Sequence, residues 1–301
     1  MGTSLRRIAT LGVALGVVAQ ARPALARSGD LAEVEAAGVL RHLGVPYANF
    51  VTGGGDGFDV ELMKLFAARL GVRYEFVQSD WPAVIPDLVG RRVSAAAPDP
   101  ERAAPVPVRG DVVAMGMTVL PWRQRALAFS APVFPTQVWV IARADSPVRP
   151  IKPSASIEGD IAAVKALLAN RTLLGVPSTC LDPSLYALEK TGAKLAIRKV
   201  QLDEVAALLI GGDGELALLD VADAMIALQK WPGQIKVVGP VSPRQHMAVA
   251  FRGDSPRLRA AFDTFFAEAK RDGTYDRLVR KYFPAVPLYF PEFFEKARGQ
   301  G

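Results

Sequence analysis

Residues 110–134, GDVVAMGMTVLPWRQRALAFSAPVF, decide how the rest of the chain is read. Asp111-Val-Val-Ala-Met reads as a short buried strand, because a run of apolar residues needs cover on both faces. It runs out into Gly116-Met117-Thr118, where a glycine lets a ligand approach the backbone and a threonine offers a hydroxyl. Arg123 follows five residues later, just behind Pro121, a residue suited to the first turn of a helix. A strand ending in a small residue, a hydroxyl and an arginine can clamp an anion. The guanidinium fork matches a carboxylate bidentately, and nearby N–H groups take the remaining lone pairs. Taken alone, the same arginine reads more simply as a solvated loop residue, so the rest of the chain must decide.

At 301 residues, half of them hydrophobic, the chain can bury a core as one large domain or two modest lobes. Its start reads as an export leader. Arg6 and Arg7 supply positive charge, residues 8–18 a short apolar run, and Ala24-Leu25-Ala26 a cleavage site. A signal peptide over residues 1–26, cleaved after Ala26, is therefore expected to send the protein to the periplasm. The apolar run is too short to span a bilayer. With the leader go Arg6, Arg7 and Arg22, and the net charge falls from +6 to +3. Basicity of that size favours small anions and falls short of a nucleic-acid footprint. Cys180 is the single cysteine, so an intrachain disulfide is impossible. The His, Cys, Asp and Glu residues show no metal-ligand spacing, and neither a metal nor a cofactor is expected.

Upstream of the opening stretch, residues 39–45 read as a first strand and 46–50 as its exit loop. The glycine-rich turn at 52–57 lacks the lysine–hydroxyl pair of a phosphate loop. It leads into an amphipathic helix over 59–70, with Val60, Met63, Phe66, Ala67 and Leu70 on one side. Residues 72–77 form a second strand and 81–89 a short helix. Residues 91–108 hold too many prolines for a helix or central strand and read as a surface loop. Downstream, strands are expected at 137–143, 172–176, 193–200, 216–219, 235–238 and 247–251. Helices are expected at 160–170, 182–191, 202–210, 221–230, 257–270 and 275–282. Strands and helices alternating in two successive groups define an α/β fold of two lobes with mostly parallel sheets. Ligands of such lobes sit at the carboxyl ends of strands, where Thr118, Ser178-Thr179 and Asp220 all fall.

These elements resemble those of the family 3 periplasmic solute-binding proteins, the polar amino-acid receptors of ABC transporters. The likeness covers nearly the whole mature chain. It rests on GVL at 38–40, GFDVELMKLFAARLGV at 57–72, IPDL at 85–88, GDVVAMGMTVLPWRQRALAFSAP at 110–132 and DGTYDRLVRKYF at 272–283. The resemblance implies two Rossmann-like lobes joined by two crossing strands, with residues 37–135 and 253–301 as lobe one and 136–252 as lobe two. It implies a monomer that traps a small α-amino acid or related carboxylate by hinge closure and delivers it to a transporter permease. By motif position the ligand carboxylate falls to Arg123, with Arg125 a solvated neighbour, and to the wall made by Gly116 and Thr118. Ser178, Thr179 and Cys180 supply the facing turn of lobe two, with amides at a helix N-terminus. Asp220 takes the ligand ammonium while also suiting a helix N-cap. Tyr47, Phe50 and Trp81 form an aromatic wall.

The chain departs from that pattern at several points. Residues 91–108 insert a proline- and alanine-rich loop between a helix and a strand that normally adjoin. The exit of the first strand carries no acidic residue, which argues against a basic side chain on the ligand. Cys180 replaces a hydroxyl, and a thiol at a helix N-terminus is expected to acidify unless it is buried and inert. His42 reads as a satisfied core histidine. Two other functions use the same framework. An enzyme resembling cyclohexadienyl dehydratases would draw a general acid from Asp182, Asp220 or Asp223 and stack its ring substrate on Trp81. An accessory or sensory receptor would dock a soluble periplasmic partner through the inserted loop. The leading expectation is a binding protein, not an enzyme.

Overall fold

The computed structural model describes residues 30–299, and the leader expected at 1–26 lies outside them. Its strands are β1 (Val39–Gly44), β2 (Arg73–Gln78), β3 (Val112–Val113), β4 (Ala128–Phe129), β5 (Phe134–Thr136), β6 (Val138–Arg143), β7 (Thr172–Gly175), β8 (Lys194–Ile197), β9 (Leu216–Asp220), β10 (Ile235–Pro240), β11 (Gln245–Met247) and β12 (Ala250–Phe251). They sort into two five-stranded sheets, ordered β2-β1-β3-β12-β4 and β10-β6-β9-β7-β8, with β5 and β11 paired antiparallel between them. Two α/β lobes and two crossing strands result. In each sheet one strand opposes the rest, β12 in the first and β6 in the second. Both follow directly on a crossing strand. Each therefore enters its sheet from the cleft, at the carboxyl ends of its neighbours, and must run against them. The remaining strands deliver their carboxyl ends to that cleft, where such folds build their sites.

The return to lobe one comes earlier than the expected boundary at 252. β11 is already crossing at Gln245, and β12 lies in the first sheet. The single strand expected over 247–251 is thus two, separated where Ala248 N turns to donate to Met117 O (3.0 Å). The strand expected over 111–115 shrinks to β3 because side chains take the backbone partners at both ends. Asp111 accepts from Arg41 N (2.8 Å), and Ala114 O accepts from His42 Nε2 (2.5 Å). That bond leaves His42 Nδ1 to accept from the Tyr74 hydroxyl (2.9 Å). Burial lowers the histidine pKa to about 4, so His42 is a neutral, fully satisfied core residue.

A second correction falls on residues 182–191, which form no α-helix. They make two 3-10 turns, Pro183–Tyr186 and Leu188–Thr191, broken by Ala187 at φ 54°. Tertiary bonds override helix propensity here. The Tyr186 hydroxyl donates to Cys180 O (2.6 Å), and Lys165 Nζ donates to Tyr186 O (2.6 Å).

The helix Phe58–Leu70 buries Val60, Met63, Phe66 and Ala67 against the first sheet, as its spacing predicts. Beneath the cleft, Phe50, Phe58, Phe134 and Phe283 pack ring on ring, with Phe50 centred 5.0 Å from Phe134 and 4.7 Å from Phe283. Each ring buried in full is worth about 1.5–3 kcal/mol, so this cluster fixes the floor on which the site stands. Residues 91–108 remain a loop, pinched at its base by a bridge between Arg91 and Pro105. The tail helices Val286–Tyr289 and Pro291–Gly299 lie behind the hinge. Tyr289 meets Trp139 of β6 (5.8 Å) and Phe293 meets His246 of β11 (5.8 Å), so the tail leans on both lobes and on the crossing.

Candidate functional site

Arg123 closes the one-turn helix Pro121–Gln124 at the carboxyl end of lobe one's sheet and is 2% exposed. Its Nη1 donates to Thr118 O (2.9 Å), while Nε has no partner. Among the described residues no carboxylate pairs with it, and burial pulls its pKa down. A buried guanidinium without an anion costs several kcal/mol. Thr118, which bridges to Met247 of β11, keeps a buried hydroxyl without a hydrogen-bond partner. Gly116 turns the chain at φ 67°, and its N–H donates to Asp59 Oδ2 (2.6 Å). A Cβ at Gly116 would meet Phe50 at 2.4 Å, so the turn needs glycine for both conformation and space.

Across the cleft, Asp220 ends β9 and caps the helix Val221–Lys230, its Oδ1 accepting from Asp223 N (3.0 Å). Both expected properties, strand-end carboxylate and N-cap, meet in one fully buried residue. Its Oδ2 accepts from the Tyr47 hydroxyl of lobe one and lies 3.7 Å from Cys180 Sγ. One turn on, Asp223 is also buried, with Oδ2 unpartnered. Burial raises the pKa of both carboxyls, and the Asp220 charge raises that of Asp223 further, so of the two Asp223 is the readier to take a proton.

The other sequence candidates divide. Tyr47 stands between the lobes, stacked on Phe50 (5.8 Å) and edge-on to Trp81 (5.5 Å). Phe50 is not in the wall; it is wholly buried in the phenylalanine cluster, supporting Tyr47 from below. Thr179 is buried, but its hydroxyl is committed, donating to Val176 O (2.9 Å) and accepting from Leu181 N (3.0 Å). Ser178 is exposed in a left-handed turn (φ 63°), and its N–H donates to Asp182 Oδ2 (3.0 Å). With no α-helix behind this turn, the expected helix N-terminus is absent. Cys180 is not acidified: burial, then the Asp220 charge, pushes its thiol pKa up, and it is inert packing between Asp220 and Tyr186.

A cavity of about 600 Å³ lies between the lobes beside this cluster. Trp81 and Trp122 line it from lobe one, Ser178 and Thr179 from lobe two, and Val93, Ser94 and Ala95 of the inserted loop complete the wall. Trp122 and the loop lining were not anticipated from sequence. Trp122 sits one residue before Arg123, its ring 5.4 Å from the guanidinium, so the motif itself held the signal. Among the described residues no group of three His, Cys, Asp or Glu could hold a metal.

Two lobes meeting at a cleft, with a buried, unpaired arginine on one and a buried aspartate on the other, suit a ligand-trapping protein. Consistent with this, residues 44–106 and 107–285 match the model of the bacterial extracellular solute-binding proteins, family 3, and the chain belongs to that family. It is 26% identical over 239 residues to the Lysine/arginine/ornithine-binding periplasmic protein of Escherichia coli, covering 75% of this chain and 78% of that protein. It is also 26% identical over 236 residues to Membrane-bound lytic murein transglycosylase F of Desulfosudis oleivorans, covering 77% of this chain and 45% of that protein. The chain thus spans less than half the length of the transglycosylase. Among solved structures, a mutant of ArgBP from T. maritima shares the fold at a TM-score of 0.66 and 24% identity, covering 84% of this chain and 99% of that one.

Proposed function

We propose that this protein is a periplasmic receptor that captures a zwitterionic α-amino acid, or a related carboxylate, between its lobes for delivery to an ABC-transporter permease. The observation that carries the reading is the Arg123 guanidinium, buried without a carboxylate. In this reading the ligand carboxylate pairs with Arg123 and takes the free Thr118 hydroxyl. The ligand ammonium meets Asp220 Oδ2, displacing or sharing the Tyr47 hydroxyl. With Asp223 protonated, one cation and one anion of the protein face one anion and one cation of the ligand, and the closed cleft is neutral. The relative that binds lysine, arginine and ornithine, by its name, supports an amino-acid ligand. In this reading the leader at 1–26 exports the chain, the family supports the periplasmic setting and a permease partner, and the protein works as a monomer with no cofactor.

Calorimetry tests this with an amino acid, its deaminated acid and its decarboxylated amine. Both analogues are expected to bind at least about a hundredfold more weakly, because each leaves one buried charge unpaired at a cost of several kcal/mol. Equal binding of the deaminated acid would remove Asp220 from the site.

The carboxyl pair favours one second reading. A buried acid with a raised pKa, such as Asp223, is also what a dehydratase needs as general acid. Turnover of prephenate by the purified protein, lost in Asp223→Asn, would establish it.

A further inference from the structure

The clamp formed by Arg123 and Asp220 accounts for the groups on a ligand's α-carbon, not for the space beside them. The cavity of about 600 Å³ is far larger than an ammonium and a carboxylate require, and falls in the range that holds drug-sized molecules. Neither Arg123 nor Asp220 lines it, but each is joined to its wall through a neighbouring ring. The Trp122 ring contacts the Arg123 guanidinium, and the Trp81 ring meets Tyr47, whose hydroxyl holds Asp220. A substituent on the α-carbon that extends past these rings enters this space.

Its walls are mainly apolar, with Ser94, Ser178, Thr179 and Gln201 as the uncharged polar lining. Trp81, Trp122, buried Ile85 and buried Val93 face it from lobe one, and Val176 and Val200 face it from lobe two. The charged residues of the lining, Lys199 and Glu204, are exposed, of opposite sign, and set at the rim. Asp223 does not serve the cavity; it lines a smaller one of about 150 Å³ with Asp203 and Lys230. A lysine or arginine side chain would thus lose its hydration without meeting a buried carboxylate. Stacking of the cation on a tryptophan ring does not replace that loss. A large uncharged side chain meets the opposite condition, since most of the wall it covers, the two tryptophan rings above all, is better out of water.

The inserted loop belongs to the same feature. Arg92 N donates to Ala104 O (2.8 Å) and Val106 N to Gly90 O (3.0 Å), which ties down both strands of its base and turns Val93 inward. The segment that departs most from the family pattern is thereby a wall of the cleft.

We propose that the ligand carries a bulky apolar or aromatic side chain, held between Trp81 and Trp122 and closed over by residues 93–95. This rests on the zwitterion reading of the clamp and names its substrate class. The test is a calorimetric series on the mature protein with L-alanine, L-leucine, L-phenylalanine, L-tryptophan, L-lysine and L-arginine. It is repeated on Trp122→Ala and on a variant in which residues 93–104 are replaced by a two-glycine turn across the Arg91–Pro105 bridge. Phenylalanine or tryptophan is expected to bind at least about tenfold more tightly than alanine, lysine or arginine. Each variant is expected to shrink the ratio of phenylalanine to alanine affinity by about tenfold. Tightest binding of lysine or arginine overturns the proposal, as does an unchanged ratio in the variants. Equal binding of all six overturns it while leaving the clamp standing. Binding of none overturns the clamp and the proposal together.

Discussion

Arg123 illustrates how far a single residue can be read. Its place after a glycine–threonine strand end marked it as a candidate anion clamp, but exposure is not written in the motif. Burial without a counter-ion excludes the solvated loop arginine and leaves the clamp as the proposed reading. Such a charge is a liability in the ligand-free protein. Arg123→Met should leave the thermal midpoint of the ligand-free protein unchanged or raise it by a few degrees, while abolishing the shift that ligand produces. A large drop in the ligand-free midpoint would mean that the guanidinium is structural. Asp59 makes a second residue-scale case. Its Oδ2 accepts from Gly116 N, Oδ1 has no partner, and burial pushes its pKa from 3.8 up to about 7. A carboxyl raised on folding stabilises the protein fully below the unfolded value and loses that contribution as pH rises through the folded one. The urea midpoint is therefore expected to fall between pH 5 and pH 8, and Asp59→Asn should flatten that fall. A wild-type midpoint that rises over the same range contradicts the assignment.

At the scale of elements, two features carry separable predictions. Asp220 both caps a helix and supplies a charge, and the two roles come apart by substitution. Asp220→Asn keeps a good cap and should preserve stability, whereas Asp220→Ala should cost about 1 kcal/mol more in urea unfolding. Both should lose affinity for the ligand ammonium. Gly116→Ala would force a Cβ into Phe50 at a left-handed backbone position, and destabilisation of about 1–3 kcal/mol is expected. Wild-type stability in that variant would show that the Phe50 ring can move aside. The helix Phe58–Leu70 was legible because burial imposes its period on the sequence, and β6 and β9 because strands covered on both faces read as continuous apolar runs. What escaped was set by contacts distant in sequence. Tyr186 bonded to Cys180 splits a would-be helix into two turns, and His42 and Asp111 shorten β3. The clamp residues were named from local motifs. Trp122 and the loop lining were not, because only the packed lobes bring residues 93–95 and 199–201 to one cavity.

At the scale of the whole molecule, the reversed strands β6 and β12 and the paired crossings β5 and β11 make the cleft the meeting place of nearly every strand end. Tyr47 is the contact that spans it, from the exit loop of lobe one to Asp220 of lobe two. Tyr47→Phe should shift the ligand-free protein toward open forms, seen as a larger radius of gyration by X-ray scattering, with the ligand-bound radius unchanged. Identical ligand-free profiles would mean that the tail behind the hinge, through Tyr289 on Trp139, holds the lobes by itself. The central claim is that Arg123 exists to meet a ligand carboxylate. Its most direct measurement is the calorimetric affinity of wild type and Arg123→Ala for the tightest-binding amino acid. One ligand per chain is expected, with a loss of at least about a hundredfold in the variant, roughly 3–5 kcal/mol for a broken buried pair. Undiminished binding by Arg123→Ala would contradict it.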